Sequence, residues 1–185
     1  MINSSRSFKT EGIVIKRRNF GEADRILTVF SKRNGKIQVK ANGVRKITSR
    51  RSSHIELLNY SLFNLYSGRN LPILTEVETF ENFSFIKENL TKVGFAYHIC
   101  ELIDGLCAEN QENRKVFELL LNVFSKLSKE ENIADIIHEF EVDLLVNLGF
   151  FRQVNSLQRF NSSSFIEELL ERKLKAKQVI NHFIE

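Results

Sequence analysis

The first 80 residues alternate between apolar and polar positions in short runs, a pattern typical of β-strands. In one run, Lys36, Gln38 and Lys40 occupy the face opposite to the apolar residues. The Asn34-Gly35 dipeptide before it predicts a type I′ hairpin, in which both central residues need positive φ. The predicted strands are Gly12–Lys16, Arg25–Phe30, Lys36–Lys40, Tyr60–Tyr66 and Ile73–Val77.

Five short strands joined by tight turns and one long loop, residues 44–54, suit a small closed barrel. An OB-fold has this number of strands, and an SH3-like barrel fits nearly as well. The pattern of apolar positions alone does not choose between them.

From about Phe85 onward the apolar period becomes that of a helix. The third of three helical stripes stops at Gly149, which suits a left-handed helix cap. A last helix is predicted to begin at Ser164 with a capping box completed by Glu167. We expect this helix to bury Phe165, Leu169, Leu170 and Val179, or their neighbours. The predicted fold class is therefore α+β, with a β domain over residues 1–80 and an all-α domain over residues 81–185.

Charge divides the chain at almost the same place. Residues 1–71 contain 15 Lys and Arg against 4 Asp and Glu, a net charge of +11. The rest contains 12 against 19, a net charge of −7. Such an asymmetry indicates a polyanionic partner for the first part, most simply a nucleic acid.

The long loop concentrates cations without a compensating acid, and it adjoins the lysine face of the third strand. Arginine and lysine there would neutralise phosphates and give affinity without sequence information. The alternative is a flexible, solvated loop. The predicted DNA-binding residues are Lys36, Lys40, Arg45, Lys46, Arg50 and Arg51. Phe20 and Tyr60, at strand ends, are candidates for stacking on bases, although most aromatic residues at strand spacing belong to a core.

Catalytic signals are weak. The basic part has only four carboxylates, whereas a two-metal nuclease needs several in a cluster. The four histidines form no HxxxH or HExxH motif, and no phosphate-binding GxxxxGK[ST] loop occurs. Cys100 and Cys107 lie on one helix face as core thiols. We expect no catalytic residue, cofactor or metal. Without a signal peptide or a membrane-length apolar run, a cytoplasmic protein is expected.

The run TEGIVIKRRNFGEADRILTVFSKRNGKIQVKANGVRK, residues 10–46, resembles the opening of the RecO family of bacterial recombination mediators. It has a strand, a Gly-Glu turn, a strand ending in a hairpin, and a lysine-rich strand entering a basic loop. Further matches are Ser49-Arg50-Arg51, Leu57 and residues 71–74. FEVDLLVNLGFF, residues 140–151, resembles the family's F-E-x-x-L-L-x-x-L-G-[FY] helix end. The resemblance covers nearly the whole chain.

This resemblance implies an N-terminal OB-fold followed by a helical domain. It implies binding to single- and double-stranded DNA, annealing of complementary strands, and a cytoplasmic, nucleoid-associated location. It also implies action with RecR in loading the RecA recombinase onto strands coated by single-strand-binding protein. Many family members carry a four-cysteine zinc module after the helix end. Residues 152–157 hold no cysteine here, so we expect the module to be absent or reduced to a linker.

The resemblance further implies contact with the acidic C-terminal tail of single-strand-binding protein, which ends in Phe. A basic side chain beside an apolar pocket would suit that tail, because Arg pairs with a carboxylate through two parallel hydrogen bonds. Arg114 and Lys115, beside Phe117, and Arg152, after Phe151, are the candidates. Two other function classes stay open: an OB-type RNA-binding module, served by the same electrostatics, and a nuclease.

Overall fold

Five strands close into a barrel in the first part of the chain. The structure, a computed structural model, describes residues 6–129, 132–150 and 161–176. The strands are β1 (Ser7–Phe20), β2 (Asp24–Ser31), β3 (Gly35–Ala41), β4 (Tyr60–Tyr66) and β5 (Ile73–Glu81). Their order around the barrel is β1-β2-β3-β5-β4, and only the β3–β5 pair is parallel. Because β5 rather than β4 follows β3, the barrel is not a simple meander. The OB-fold and the α+β class are confirmed.

The apolar alternation predicted the barrel interior correctly. Every second residue of β3 and β4 is buried, and a short 3-10 turn, Ser53–Ile55, brings Ile55 into the same core. The core residues are Val14, Leu27, Val29, Ile37, Val39, Ala41, Val44, Ile55, Phe63, Leu65 and Leu74. The first strand is much longer than predicted, because a bulge between Val14 and Lys16 lets pairing continue to Phe20.

The β2–β3 hairpin exists, but its predicted type I′ turn is wrong. Ser31 pairs with Gly35, so three residues lie between them. Gly35 has a φ of +64°, whereas Asn34 is not among the residues with positive φ. The Ser31 hydroxyl donates to the Gly35 carbonyl at 2.9 Å and accepts from the Asn34 N–H at 3.1 Å. This side chain stabilises the longer turn, in which only the glycine needs the left-handed region.

A distant segment, Ala108–Arg114, belongs to the same compact unit as the barrel. The Asn110 N–H donates to the Lys36 carbonyl at 2.9 Å, and Glu109 forms a parallel bridge with Lys36. A Cβ on Gly35 would collide with the backbone carbonyl of Gln111, so glycine is required there by close approach as well as by φ. Lys36 is only 7% exposed. The expectation that Lys36 presents an open cationic surface is therefore wrong.

The second compact unit, Phe83–Cys107 with the described residues from Lys115 on, is built from helices. The helices are α1 (Ser84–Lys87), α2 (Leu90–Leu106), α3 (Arg114–Lys129), α4 (Ile133–Asn147) and α5 (Ser162–Leu169). Many of its buried residues belong to the three predicted apolar stripes, and both cysteines are buried and form no disulfide. Gly149, with a φ of +80°, follows the end of α4 as predicted. None of the helices in the described ranges combines the length and apolarity that a membrane span needs.

The start of α5 differs from the prediction. The Asn161 side chain, not that of Ser164, caps the helix by accepting from the Ser164 N–H at 3.0 Å. The helix therefore begins at Ser162, two residues earlier. Its buried apolar residue is Ile166, a neighbour of the expected ones, while Leu169 is exposed. Val179 lies outside the described residues.

A buried carboxylate, Glu141, joins three helices. It accepts hydrogen bonds from His98 Nε2 at 2.7 Å and from the hydroxyls of Ser162 and Ser163 at 2.5 and 3.0 Å. Burial raises the pKa of Glu141, but the bonds from His98 and Ser162 outweigh it, so the pKa lies below its ordinary value. The network ties α2, α4 and α5 together through a charge that water does not reach.

Candidate nucleic-acid interface

Exposed cations gather on the outer surface of β1–β3, around the turn between β1 and β2. Arg18 pairs with Ile26 and Ile26 pairs with Lys40, so the three side chains share one rung and one face of the sheet. Lys40 Nζ lies 5.3 Å from the centre of the Phe20 ring. Phe20 is 44% exposed, so part of its side chain is open to solvent although the cation contacts the ring.

The loop after β3 folds back over this turn. The Gly43 N–H donates to Asp24 Oδ1 at 2.8 Å, and the Arg45 N–H donates to the Ala23 carbonyl at 2.9 Å. The Arg45 guanidinium also reaches the Gly21 carbonyl at 3.2 Å. These bonds place the exposed side chains of Arg45 and Lys46 beside the rung formed by β1–β3. We call the exposed cations Arg18, Arg45, Lys46 and Arg50, together with the half-buried Lys40, the basic face.

Arg51 has a different position from its neighbour Arg50. Its guanidinium donates to the carbonyls of Leu74 at 2.8 Å and Asn42 at 2.9 Å, with a longer contact to Thr75. It is half-buried and clamps the loop to the end of β3 and the start of β5. Arg51 is therefore less available to a phosphate than the predicted loop cation would be, because both of its terminal nitrogens already donate to backbone oxygens.

Most of the basic face carries uncompensated charge. Within the described ranges, Arg18, Arg45, Lys46 and Arg50 make no ion pair with a carboxylate. Lys40 does, because Asp24 Oδ2 lies 3.2 Å from its Nζ. The Gly43 N–H and then Lys40 hold the pKa of Asp24 below its ordinary value, so this carboxylate is ionised at neutral pH. Lys40 is thus the cation of this face that a carboxylate already partly neutralises.

Three of the four carboxylates in the basic part are committed to cations. Glu11 accepts from Lys32 Nζ at 2.9 Å, Asp24 pairs with Lys40, and Glu56 pairs with Arg17 and with Arg25, the latter at 3.5 Å. Arg25 therefore pairs with Glu56 and not with an acid of the β1–β2 turn. These acids are dispersed over the barrel, so they do not form the carboxylate cluster that metal-assisted phosphodiester hydrolysis requires.

Tyr60 is less available than Phe20. Its hydroxyl donates to Glu11 Oε2 at 2.8 Å, and its ring packs edge-on against Phe80 at 5.2 Å. Burial, and then the bond to Glu11, raise the pKa of Tyr60 to about 12. Phe80 is half exposed, so it is the more open ring of this pair, and the alternation of β5 could have identified it.

Arg18 and Arg69 are exposed near this face and were not singled out by the sequence. Arg18 lies two residues after Lys16, so extending the predicted β1 past Lys16 would have placed both side chains on the same face of the strand. Arg69 lies in the β4–β5 loop, and that loop ends beside Lys40, whose N–H donates to the Pro72 carbonyl at 2.8 Å. In OB-folds the β1–β2 and β4–β5 loops flank the nucleic-acid surface.

In contrast to the basic face, β5 carries negative charge. Its outer residues include the exposed Glu76, Glu78 and Glu81, and no lysine or arginine occurs in this strand. The charge boundary seen in the sequence therefore falls inside the barrel, before β5, and not at its end. A polyanion would be attracted to β1–β3 and repelled by β5.

The candidates for a protein partner are only partly described. Arg114 and Lys115 are exposed at the start of α3, but the adjacent Val116 and Phe117 are fully buried. Phe117 is a core residue, so it does not supply an apolar pocket beside these cations. Arg152 lies outside the described residues. Across the described ranges, no three His, Cys, Asp or Glu side chains are grouped to hold a metal ion.

Two family models match this chain, one over the barrel and one over part of the helical region. The family model described as "Recombination protein O N terminal" matches residues 5–83, and "Recombination protein O C terminal" matches residues 87–159. Three curated proteins named DNA repair protein RecO are similar. That of Acetivibrio thermocellus is 36% identical over 85% of this chain and 63% of its own length. Those of Roseiflexus sp. and Pelotomaculum thermopropionicum are 36% and 35% identical, over 80% and 77% of this chain. The chain covers 52% and 56% of these two relatives.

Proposed function

The chain belongs to the RecO family of DNA repair proteins, and on this premise we propose that its barrel binds DNA along the basic face. The observation that carries the proposal is a set of four exposed cations, one on β1 and three in the loop after β3, that form no ion pair with a carboxylate among the described residues. Binding of these side chains to phosphates would release the counterions condensed on the DNA, which gives strong, salt-dependent and sequence-independent affinity. The available ring of Phe20 would add stacking on an unpaired base.

We propose that the protein acts by binding and not by catalysis. Three of the four carboxylates of the basic part are engaged in ion pairs, and their separate positions on β1, on β2 and in the loop before β4 do not favour a shared metal. Screening of phosphate charge by a cationic surface reduces the repulsion between two strands. This supports annealing of complementary strands as the activity of the face, on both single- and double-stranded DNA.

The partner functions are proposed from family membership. They are action with RecR, loading of RecA onto strands coated by single-strand-binding protein, contact with that protein's acidic tail, and association with the nucleoid. Because the chain spans about half to three fifths of the relatives' length, each of these is a proposal for this chain alone. Lys115 and Arg114 remain candidates for the tail, with an apolar neighbour other than Phe117.

The alternative is an OB-type RNA-binding module. The basic face would attract either polymer, since phosphate contacts do not distinguish them and the 2′-hydroxyl does. Competition between single-stranded DNA and RNA of equal length separates the two functions. Stronger competition by DNA supports the repair function, and stronger competition by RNA favours the alternative.

The proposal is tested with a triple variant that changes Arg45, Lys46 and Arg50 to Ala and leaves the Arg51 clamp intact. Fluorescence anisotropy with labelled single-stranded DNA should show affinity weakened about tenfold or more, because three phosphate contacts are lost. The matched control removes three exposed lysines of the helical unit, Lys129, Lys173 and Lys175. Equal losses in both variants would mean that net charge, and not the basic face, determines binding.

A further inference from the structure

Ile47 stands fully exposed at the tip of the loop after β3. Turns are normally built from Gly, Pro, Asn, Asp and Ser, because these residues satisfy turn geometry or bond to the backbone. A β-branched apolar residue does neither, and Ile47 contributes nothing to the barrel core. Its immediate surroundings are cationic, since Arg45, Lys46 and Arg50 are all exposed.

The tip that carries Ile47 is held firmly. A turn closes across it, with the Ser49 N–H donating to the Lys46 carbonyl at 2.9 Å. On the N-terminal side Val44 is buried in the barrel core, and on the C-terminal side Arg51 clamps the chain. The side chain is thus presented on an ordered support, and rigid presentation lowers the entropic cost of inserting it into a partner.

We propose that Ile47 is a wedge that inserts between adjacent bases of DNA bound along the basic face. Apolar side chains, isoleucine among them, enter base steps and unstack them in proteins that deform nucleic acid. The neighbouring cations would fix the flanking phosphates, and the wedge would hold the bases apart. This inference rests on the proposed function, and it adds to electrostatic attraction a residue that opens the base stack.

The geometry favours nucleic acid over an apolar protein partner. A protein pocket for Ile47 would also have to accept three surrounding cations, whereas a base step is flanked by phosphates on its own strand. Unstacked bases are the state from which strands pair anew. A wedge on the basic face would therefore hold the bases of a bound strand unstacked and ready to pair with a complementary strand.

Affinity variants give the first test in the full chain. Ile47→Ser should weaken binding to single-stranded DNA about tenfold, because an apolar side chain loses its burial. Its salt dependence should match that of the parent, since no phosphate contact is removed. Ile47→Leu should bind as the parent does. Leu90→Ser, which changes an exposed apolar residue of the helical unit, is the control and should bind normally.

Fluorescence locates the side chain directly. The chain contains no Trp, so Ile47→Trp introduces a single indole. Stacking between bases should quench its emission and shield it from acrylamide when DNA is added, while Leu90→Trp should change little. Unchanged emission at position 47, together with parental affinity of Ile47→Ser, would overturn the wedge. If the parent itself fails to bind DNA at low salt, the proposed function fails instead, and the two outcomes are distinguishable.

Discussion

Adjacent arginines with opposite roles give the sharpest stability prediction. Arg50 is exposed and unpaired among the described residues, whereas Arg51 donates to two backbone carbonyls at 2.8 and 2.9 Å. The perturbation is Arg51→Lys, with Arg50→Lys as the matched control. Both substitutions keep the charge, so any difference between them reports the guanidinium geometry. A lysine at position 51 cannot donate to both carbonyls as the planar fork does.

The expected loss follows from the bonds. One hydrogen bond from a charged donor contributes about 1.5–3 kcal/mol, and a half-buried group lies in the lower part of that range. Arg51→Lys should therefore destabilise the barrel by about 1.5–2 kcal/mol. For a domain of this size that lowers Tm by at least about 6 °C. Arg50→Lys should stay within about 0.5 kcal/mol of the parent, as exposed substitutions do.

The assay is urea unfolding followed by circular dichroism, with thermal unfolding as a second measure. Salt-dependent DNA binding is recorded in parallel, and its slope should be the same for both variants because the charge is kept. If Arg51→Lys is as stable as Arg50→Lys, the clamp does not hold the loop. Arg51 would then return to the set of cations available for phosphate.

Three further predictions concern charge and metal. Asp24→Asn keeps an oxygen for the Gly43 N–H but removes the charge that pairs with Lys40. Single-stranded DNA should therefore bind about threefold more tightly at low salt, and the slope of log affinity against log salt should be steeper by about 0.7. Weaker binding would contradict the pairing of Lys40 with Asp24. The pKa of Glu141 in the folded protein lies below its ordinary value of 4.5, so the ionised carboxylate stabilises the fold at any pH above 4.5. This contribution is lost as the pH falls through the lowered pKa. Glu141→Gln should therefore lower Tm at pH 7, and its Tm should fall less steeply in acid than that of the parent. If the two curves of Tm against pH are parallel, the prediction is refuted. With two cysteines and four scattered histidines, the purified chain should contain no stoichiometric zinc by elemental analysis.

Local patterns predicted the barrel because strand burial repeats every second residue. The alternation around Ile37 and Val39 identified the core face correctly. The alternation predicted an exposed Lys36, but Lys36 is buried because residues 108–114 pack against it. The sequence around Lys36 carries no signal of a contact with residues so far along the chain. The hairpin at Asn34-Gly35 was located correctly, but its turn type depends on the Ser31 side chain.

The site was predicted as a region and not residue by residue. The cationic loop and its neighbouring strand were found because charge density is visible in sequence. Arg50 and Arg51 look alike there, and only the positions of the carbonyls they could reach distinguish them. Ile47 escaped notice because one apolar residue in a basic loop carries no periodic signal.

The salt dependence of single-stranded DNA binding tests the central claim most directly. If the basic face neutralises about five to seven phosphates, a plot of log affinity against log salt should have a slope of about −3 to −5. The triple variant at positions 45, 46 and 50 should lower the magnitude of that slope by about 2, at about 0.7 for each phosphate of a single strand. A parental slope near zero would contradict the account, because the charge of β1–β3 would then not be a DNA-binding surface.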